Sequence, residues 1–325
     1  MVLSEIKVSE GEFYVNQKPQ EISNIFPQKT SSQSVNSGTP NCISTKMLDS
    51  ITLTSLIFSE NWRQDQMLSA SHAWRFNSHT RDQLNTLADS ATLVLPLGST
   101  EQHGHHLPVS VDATVVTHLA EAAVELASSQ IPVLLLPTIP FGFAQHHLPF
   151  GGTVSLRSET YVNVLTDIVV GLASQGFRRL IFLNGHGGNE SPMHLVVDSI
   201  ASQNKIDIHL AGASYWKIAQ ESLLKLDFGD ASVPGHAGHF ETSLMLAIAP
   251  DLVELQSRPD DLGKKQPLGK ADIPLAHIRR PGLWETSDGR TDDSQLASAP
   301  TGARTLSDMT QVISQFIIDF HRSSL

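Results

Sequence analysis

From about Leu84 onward, short apolar runs alternate with stretches in which apolar residues recur every three or four positions. Residues 91–97 (ATLVLPL) form an unbroken apolar run that stops at Gly98, the pattern of a strand buried on both faces. Residues 111–127 carry helical periodicity, 131–137 read as a second strand and 161–174 as a second helix. Residues 179–183 (RLIFL) predict a third strand, followed by the turn 184–189 and a helix through Ile200. A fourth strand is expected at 206–214, a buried helix at 239–248 and a closing amphipathic helix at 306–322. Strands and helices alternating at this spacing predict an α/β fold whose parallel strands are joined by helical crossovers. Ligands of such sheets sit outside the carboxyl ends of the strands.

Two stretches break the rhythm. Residues 28–46 (QKTSSQSVNSGTPNCISTK) are small and polar with no apolar period, so they bury too little surface to offset the entropy of ordering them. Residues 1–66 are therefore expected to be a flexible or accessory extension, and 67–325 the folded domain. Residues 257–303 return to proline, glycine and charge. Glu5, Lys7, Glu10 and Glu12 interrupt any signal-like apolar segment, which makes the cytoplasm the expected location.

Composition narrows the chemistry. Apolar residues make up 40% of the 325 and charged residues 17%, as in a globular protein, and no apolar run nears the roughly 20 residues of a bilayer span. A net charge of −11 argues against a nucleic-acid partner. With Cys42 the only cysteine, neither a disulfide framework nor a cysteine-held zinc is available. Any metal must be held by imidazoles and carboxylates, and the chain has 15 histidines.

Eight of those histidines fall in four segments that follow strands or enter helices. In Glu101-Gln102-His103-Gly104-His105-His106, alternation by two puts Glu101 and His103 on one side of an extended segment, and Asp112 follows at a helix start. Carboxylate oxygen with imidazole nitrogen suits Zn²⁺, Mn²⁺ or Fe²⁺. The plainer reading leaves Asp112 as a helix cap and the other two as solvated loop residues. In Asn184-Gly185-His186-Gly187-Gly188-Asn189-Glu190 the glycines let a bound group approach closely. A dinucleotide pattern fails there because Glu190 stands where the last glycine belongs. In the segment 235–243, Glu241 is either a ligand or proton-handling carboxylate or a cap in the first turn of a helix, with His236 on the loop before it. Residues 141–153, with His146 and His147, read as a pocket wall or as surface histidines without a role. Ser99 lies in Gly-Ser-Thr rather than a Gly-x-Ser-x-Gly elbow, which disfavours serine chemistry.

EQHGHHLP with Asp112, then NGHGGN, then GHAGHFETSLMLA, together resemble the creatininase (creatinine amidohydrolase) family over about residues 88–250, and more weakly to 325. The resemblance implies a single three-layer domain with a mostly parallel sheet, assembled as a hexamer and holding two divalent cations per subunit. It implies that Glu101 and His186 bind one cation, His103 the other, and that Asp112 bridges them. It further implies that Trp216 lines the substrate pocket and that His236 handles a proton, with His147 and Gly188 also expected against the substrate.

Creatinine-hydrolysing members carry a ligating glutamate where this chain has Gly188, and a pocket tryptophan where it has Ser232. The NGHGGN form resembles instead a branch that includes formamide deformylases and a peptidase that trims a precursor. The expected activity is metal-dependent hydrolysis of a C–N bond in a small amide or cyclic amide, by a water shared between the cations. Glu241 then either fills the second cation's shell in place of a residue at 188 or acts as general base, and His236 protonates the leaving nitrogen. A peptidase or deformylase variant, and a catalytically silent ligand-binding homologue, are the alternatives.

Overall fold

A computed structural model of the chain describes residues 73–203, 205–226, 228, 233–259 and 281–323. The expected extension 1–66, its boundary with the domain, and Ser232 lie outside the described residues.

Helix α1 (Arg81–Leu87) opens the described region, started by a capping box in which Thr80 and Gln83 satisfy each other's backbone donors. Strand β1 (Thr92–Leu97) is buried throughout, as its apolar run predicts. Helix α2 (Val111–Ser128), strand β2 (Val133–Leu135), helix α3 (Ser158–Ser174), strand β3 (Arg179–Asn184), helix α4 (Glu190–Ser202) and strand β4 (His209–Ser214) follow in alternation. Two short turns of helix, α5 (Tyr215–Ile218) and α6 (Gln220–Leu223), lead on to α7 (His239–Ile248) and α8 (Ala299–Arg322). Strand β2 is shorter than its apolar run because prolines at 132 and 137 bracket it and cannot donate to a ladder. Helix α8 starts seven residues before its apolar period begins, because the Ser298 side chain accepts from the Thr301 amide and Pro300 stands in the first turn.

The four strands pair in parallel in the order β2-β1-β3-β4. Thr92 lies opposite Val133 on one side and Arg179 on the other, and Arg179 opposite His209. Side chains alternate between two cores, which makes the domain three-layered. Val94, Val133, Leu135, Ile181 and Leu183 pack against α2, α7 and α8. Leu93, Leu95, Leu97, Leu134, Leu180 and Phe182 pack against α3 and α4. From β1 the chain crosses over one face to reach β2, and from β3 over the other to reach β4. The crossover direction therefore reverses between β1 and β3, where a doubly wound sheet opens its ligand crevice. Among the described residues no helix is long and apolar enough to cross a membrane.

Candidate metal centre

That crevice is where the polar clusters meet. The segment after β1 brings Glu101 and His103, the turn after β3 brings His186, and the first turns of α2 and α7 bring Asp112 and Glu241. Helix α2 can lie against both strand ends because a glycine follows each: a Cβ on Gly98 would stand 2.6 Å from the Ala113 Cα, and one on Gly185 2.7 Å from the Val116 Cβ. This close approach places Asp112 between the two loops.

The Asp112 carboxylate faces both ways. One oxygen lies 3.4 Å from His103 Nε2 and the other 3.1 Å from His186 Nδ1. His186 Nδ1 is also 3.2 Å from Glu101 Oε2, and His103 Nε2 is 3.6 Å from Glu241 Oε2. Among the described residues, possible ligand atoms gather in three groups: Glu101, Asp112 and His186; His103, His236 and Glu241; and Glu101, His147 and His236. Asp112 adjoins the second group through His103, and all seven residues are buried. Asp112 stands in the first turn of α2, whose N-cap Ser110 makes no side-chain capping bond, and its carboxylate faces His103 and His186. Glu241 Oε2 accepts from the amide of Ala237, a residue held at φ +52° beside His236.

Backbone carbonyls, which can only accept, decide which nitrogen each imidazole offers. His103 Nδ1 donates to the Glu101 carbonyl, His186 Nε2 to that of Phe143 and His236 Nε2 to that of Gln102. Each ring is thereby pinned with its other nitrogen toward the carboxylates, the arrangement metal-binding histidines share. His147 differs. Gln102 accepts from the Gly104 amide through Oε1, which turns its Nε2 donors onto the Gly289 carbonyl and His147 Nδ1. His147 therefore carries its proton on Nε2, which faces Glu101 Oε1 at 3.3 Å without a hydrogen bond. Ser99, buried, donates to Glu101 Oε2.

Among the described residues the ion-pair partners of the three carboxylates, Glu101, Asp112 and Glu241, are histidines, an arrangement that costs several kcal/mol per charge unless cations answer it. Glu101 Oε1, His103 Nε2 and Asp112 Oδ2 are buried with no hydrogen-bond partner, and all three point inward. Burial foremost pushes the Glu101 carboxyl up. Burial opposes charge on His186, but Glu101 and Asp112 overcome it and lift the imidazole to about 10. His103 likewise rises well above the ordinary range, against burial, under Glu241 and Asp112. The cation-free chain thus stores protons on His103 and His186, where the donor set fits divalent cations.

The centre opens into a cavity of about 590 Å³. Trp216 and Gly188 line it, and so do His146 and His147 of the 141–153 segment. A Cβ on Gly188 would run into the Phe143 carbonyl and the His186 ring, so the glycine is what lets these two groups come together.

Two participants escaped the sequence reading. Gln102 carries no charge and was overshadowed by its neighbours. Trp284, from the proline- and glycine-rich stretch after 257, meets the His147 and His236 rings edge-on and the His146 ring at a tilt, with centroids 4.5–5.3 Å apart. A lone tryptophan in so polar a loop was the available signal.

Comparison with known proteins bears on this geometry. The family model described as creatinine amidohydrolase matches residues 77–317. The mycofactocin precursor peptide peptidase of Mycobacterium tuberculosis (strain ATCC 25618 / H37Rv) is 30% identical over 244 residues, spanning 71% of this chain and 86% of that protein. The creatinine amidohydrolase of Pseudomonas putida is 32% identical over 183 residues, 52% of this chain and 68% of its own length. A solved creatininase described as the Mn form superposes with a TM-score of 0.61 at 28% identity, covering 77% of this chain and 99% of that one.

Proposed function

The chain belongs to the creatininase family of metal-dependent amidohydrolases, and from that premise we propose that it uses two divalent cations to cleave a C–N bond in a small amide or cyclic amide. Glu101, Asp112 and His186 hold one cation, and His103, Asp112 and Glu241 the other. The carrying observation is the Asp112 carboxylate, which sits between two imidazoles from separate loops and has a buried oxygen without a partner. Zinc, manganese and iron all suit this oxygen and nitrogen set. We propose hexameric assembly, which the family resemblance supports, and a cytoplasmic location.

Bound cations would supply the Lewis acid that lowers the pKa of water toward 7 and polarises the substrate carbonyl. The remaining work belongs to the side chains. His236, whose Nε2 proton is committed to the Gln102 carbonyl, offers the Nδ1 lone pair to the cavity. Burial foremost, reinforced by His103, depresses its basicity, which keeps that atom free to take a proton and pass it to the leaving nitrogen. Ser99 Oγ fixes one oxygen of the Glu101 carboxylate, and His147 Nε2 faces the other at 3.3 Å. Trp216 and Trp284 wall the cavity and exclude bulk water from the reacting bond.

Metal analysis tests the assignment. Asp112→Ala is expected to lose both cations, and His103→Ala mainly one, with hydrolysis of formamides and cyclic amides by the reconstituted protein falling at least 100-fold in the first. Two full equivalents in Asp112→Ala would end the bridging proposal.

A further inference from the structure

A second cavity, of about 650 Å³, adjoins the first. Trp216, Lys217 and Pro234 are walls of both. Beyond that partition the lining turns apolar: Leu223 and Phe228 are buried in its floor, while Leu224, 78% exposed, and Val233 stand at the rim. The floor is braced, for the Phe228 ring meets Phe240 edge-on at 5.4 Å, and Phe240 directly precedes Glu241 on α7. Gln220 and Lys217 are the polar members of the described lining, and the Lys217 ammonium is already answered by Glu190 Oε2 at 2.9 Å.

Such a surface gains free energy by removing hydrocarbon from water and offers nothing unsatisfied to an anion. Through its shared wall, an occupant would lie beside any molecule held over the carboxylates. We propose that this cavity is a subsite for an apolar substituent of the substrate, an aliphatic or aromatic group that leaves the scissile amide past Trp216. The substrate is then an amide with a hydrocarbon arm, in contrast to a small, uniformly polar ring. The inference rests on the amide-hydrolase reading above and refines it.

N-formyl alkylamines from methyl to hexyl, with N-formylphenethylamine, give the test on the full chain. Two quantities are read: kcat/KM with metal-reconstituted protein, and Kd by calorimetry with metal-free protein. Each added methylene is expected to improve both about twofold to fourfold until the cavity fills. Leu224→Asp, at an exposed rim position that tolerates charge, should reduce that dependence by half or more. A flat series in the unaltered protein, with the methyl compound still hydrolysed, overturns the subsite and leaves the hydrolase reading standing. Chain-length-dependent Kd values with no turnover of any amide keep the subsite and overturn the hydrolase reading. A Leu224→Asp protein that keeps its chain-length dependence but changes its sedimentation marks the face as a contact between copies and overturns the proposal.

Discussion

Gln102 illustrates how one uncharged side chain sets the protonation of its neighbours. Its amide nitrogen donates to His147 Nδ1, while its backbone carbonyl takes the Nε2 proton of His236, so both adjacent rings carry their proton on Nε2, one by accepting at Nδ1 and the other by donating from Nε2. In Gln102→Glu a carboxylate oxygen replaces that donor. His147 is then expected to move its proton to Nδ1 or to become charged, with turnover falling about 10–100-fold. The ¹⁵N shifts of labelled histidines read this directly, and an unaltered pattern for His147 would refute the account. Proton storage on His186 gives a second expectation. Its imidazole, near 10 without a cation, must give up its proton when one binds, so affinity should rise with pH through the neutral range. Calorimetric titration with Zn²⁺ in buffers of different ionisation enthalpy counts the protons released, and about one or more per cation is expected near pH 7. At this scale the sequence was most legible where charge and spacing coincide, at Glu101, His103, Asp112, His186, His236 and Glu241. It was silent where a role comes from orientation alone. His147, expected against the substrate, lines the cavity, but its tautomer is fixed by an amide 45 residues away, which no local pattern reveals.

Elements bring these residues within reach, and glycines set how closely. Helix α2 rests on Gly98 and Gly185 at the ends of the two central strands. Adding one methyl at Gly185 should push the Asp112 end of the helix outward. Gly185→Ala is expected to cost on the order of 1–3 kcal/mol in denaturant unfolding and to weaken retention of both cations, whereas Gly187→Ala, with nothing within 4 Å of its Cβ, should do neither. The central strands were legible because their apolar runs are unbroken and end at glycine or asparagine. The beginning of α8 was not, since Ala299–Thr305 is poor in helix formers. Gly302 survives there because a Cβ would strike the Ser243 carbonyl of α7, a contact between elements that no local period encodes.

For the whole molecule, buried neutral histidines link stability to acidity. His106, 1% exposed and bonded to the Thr242 hydroxyl, is held down to about 4, first by burial and then by Arg290 and Arg258. Between 6.5 and about 4 the unfolded chain binds a proton there that the folded chain refuses, so stability present above 6.5 is lost as pH falls. The gap corresponds to on the order of 3 kcal/mol. Denaturant midpoints of His106→Asn between pH 4 and 7 should accordingly vary less than those of the unaltered protein. The parallel architecture was readable from the alternation of strand and helix, but the recruitment of Trp284 and Gly289 was not, because a connector without periodicity carries no address in the fold.

The contact at Gly188 has a consequence for anyone redesigning this active site. Grafting the creatinine-type glutamate onto that position alone would force apart the Phe143 peptide and the His186 ring, damaging the very centre it was meant to complete. The loop spanning residues 141–153 and the turn after β3 behave as one exchangeable cassette, to be transplanted together or left untouched.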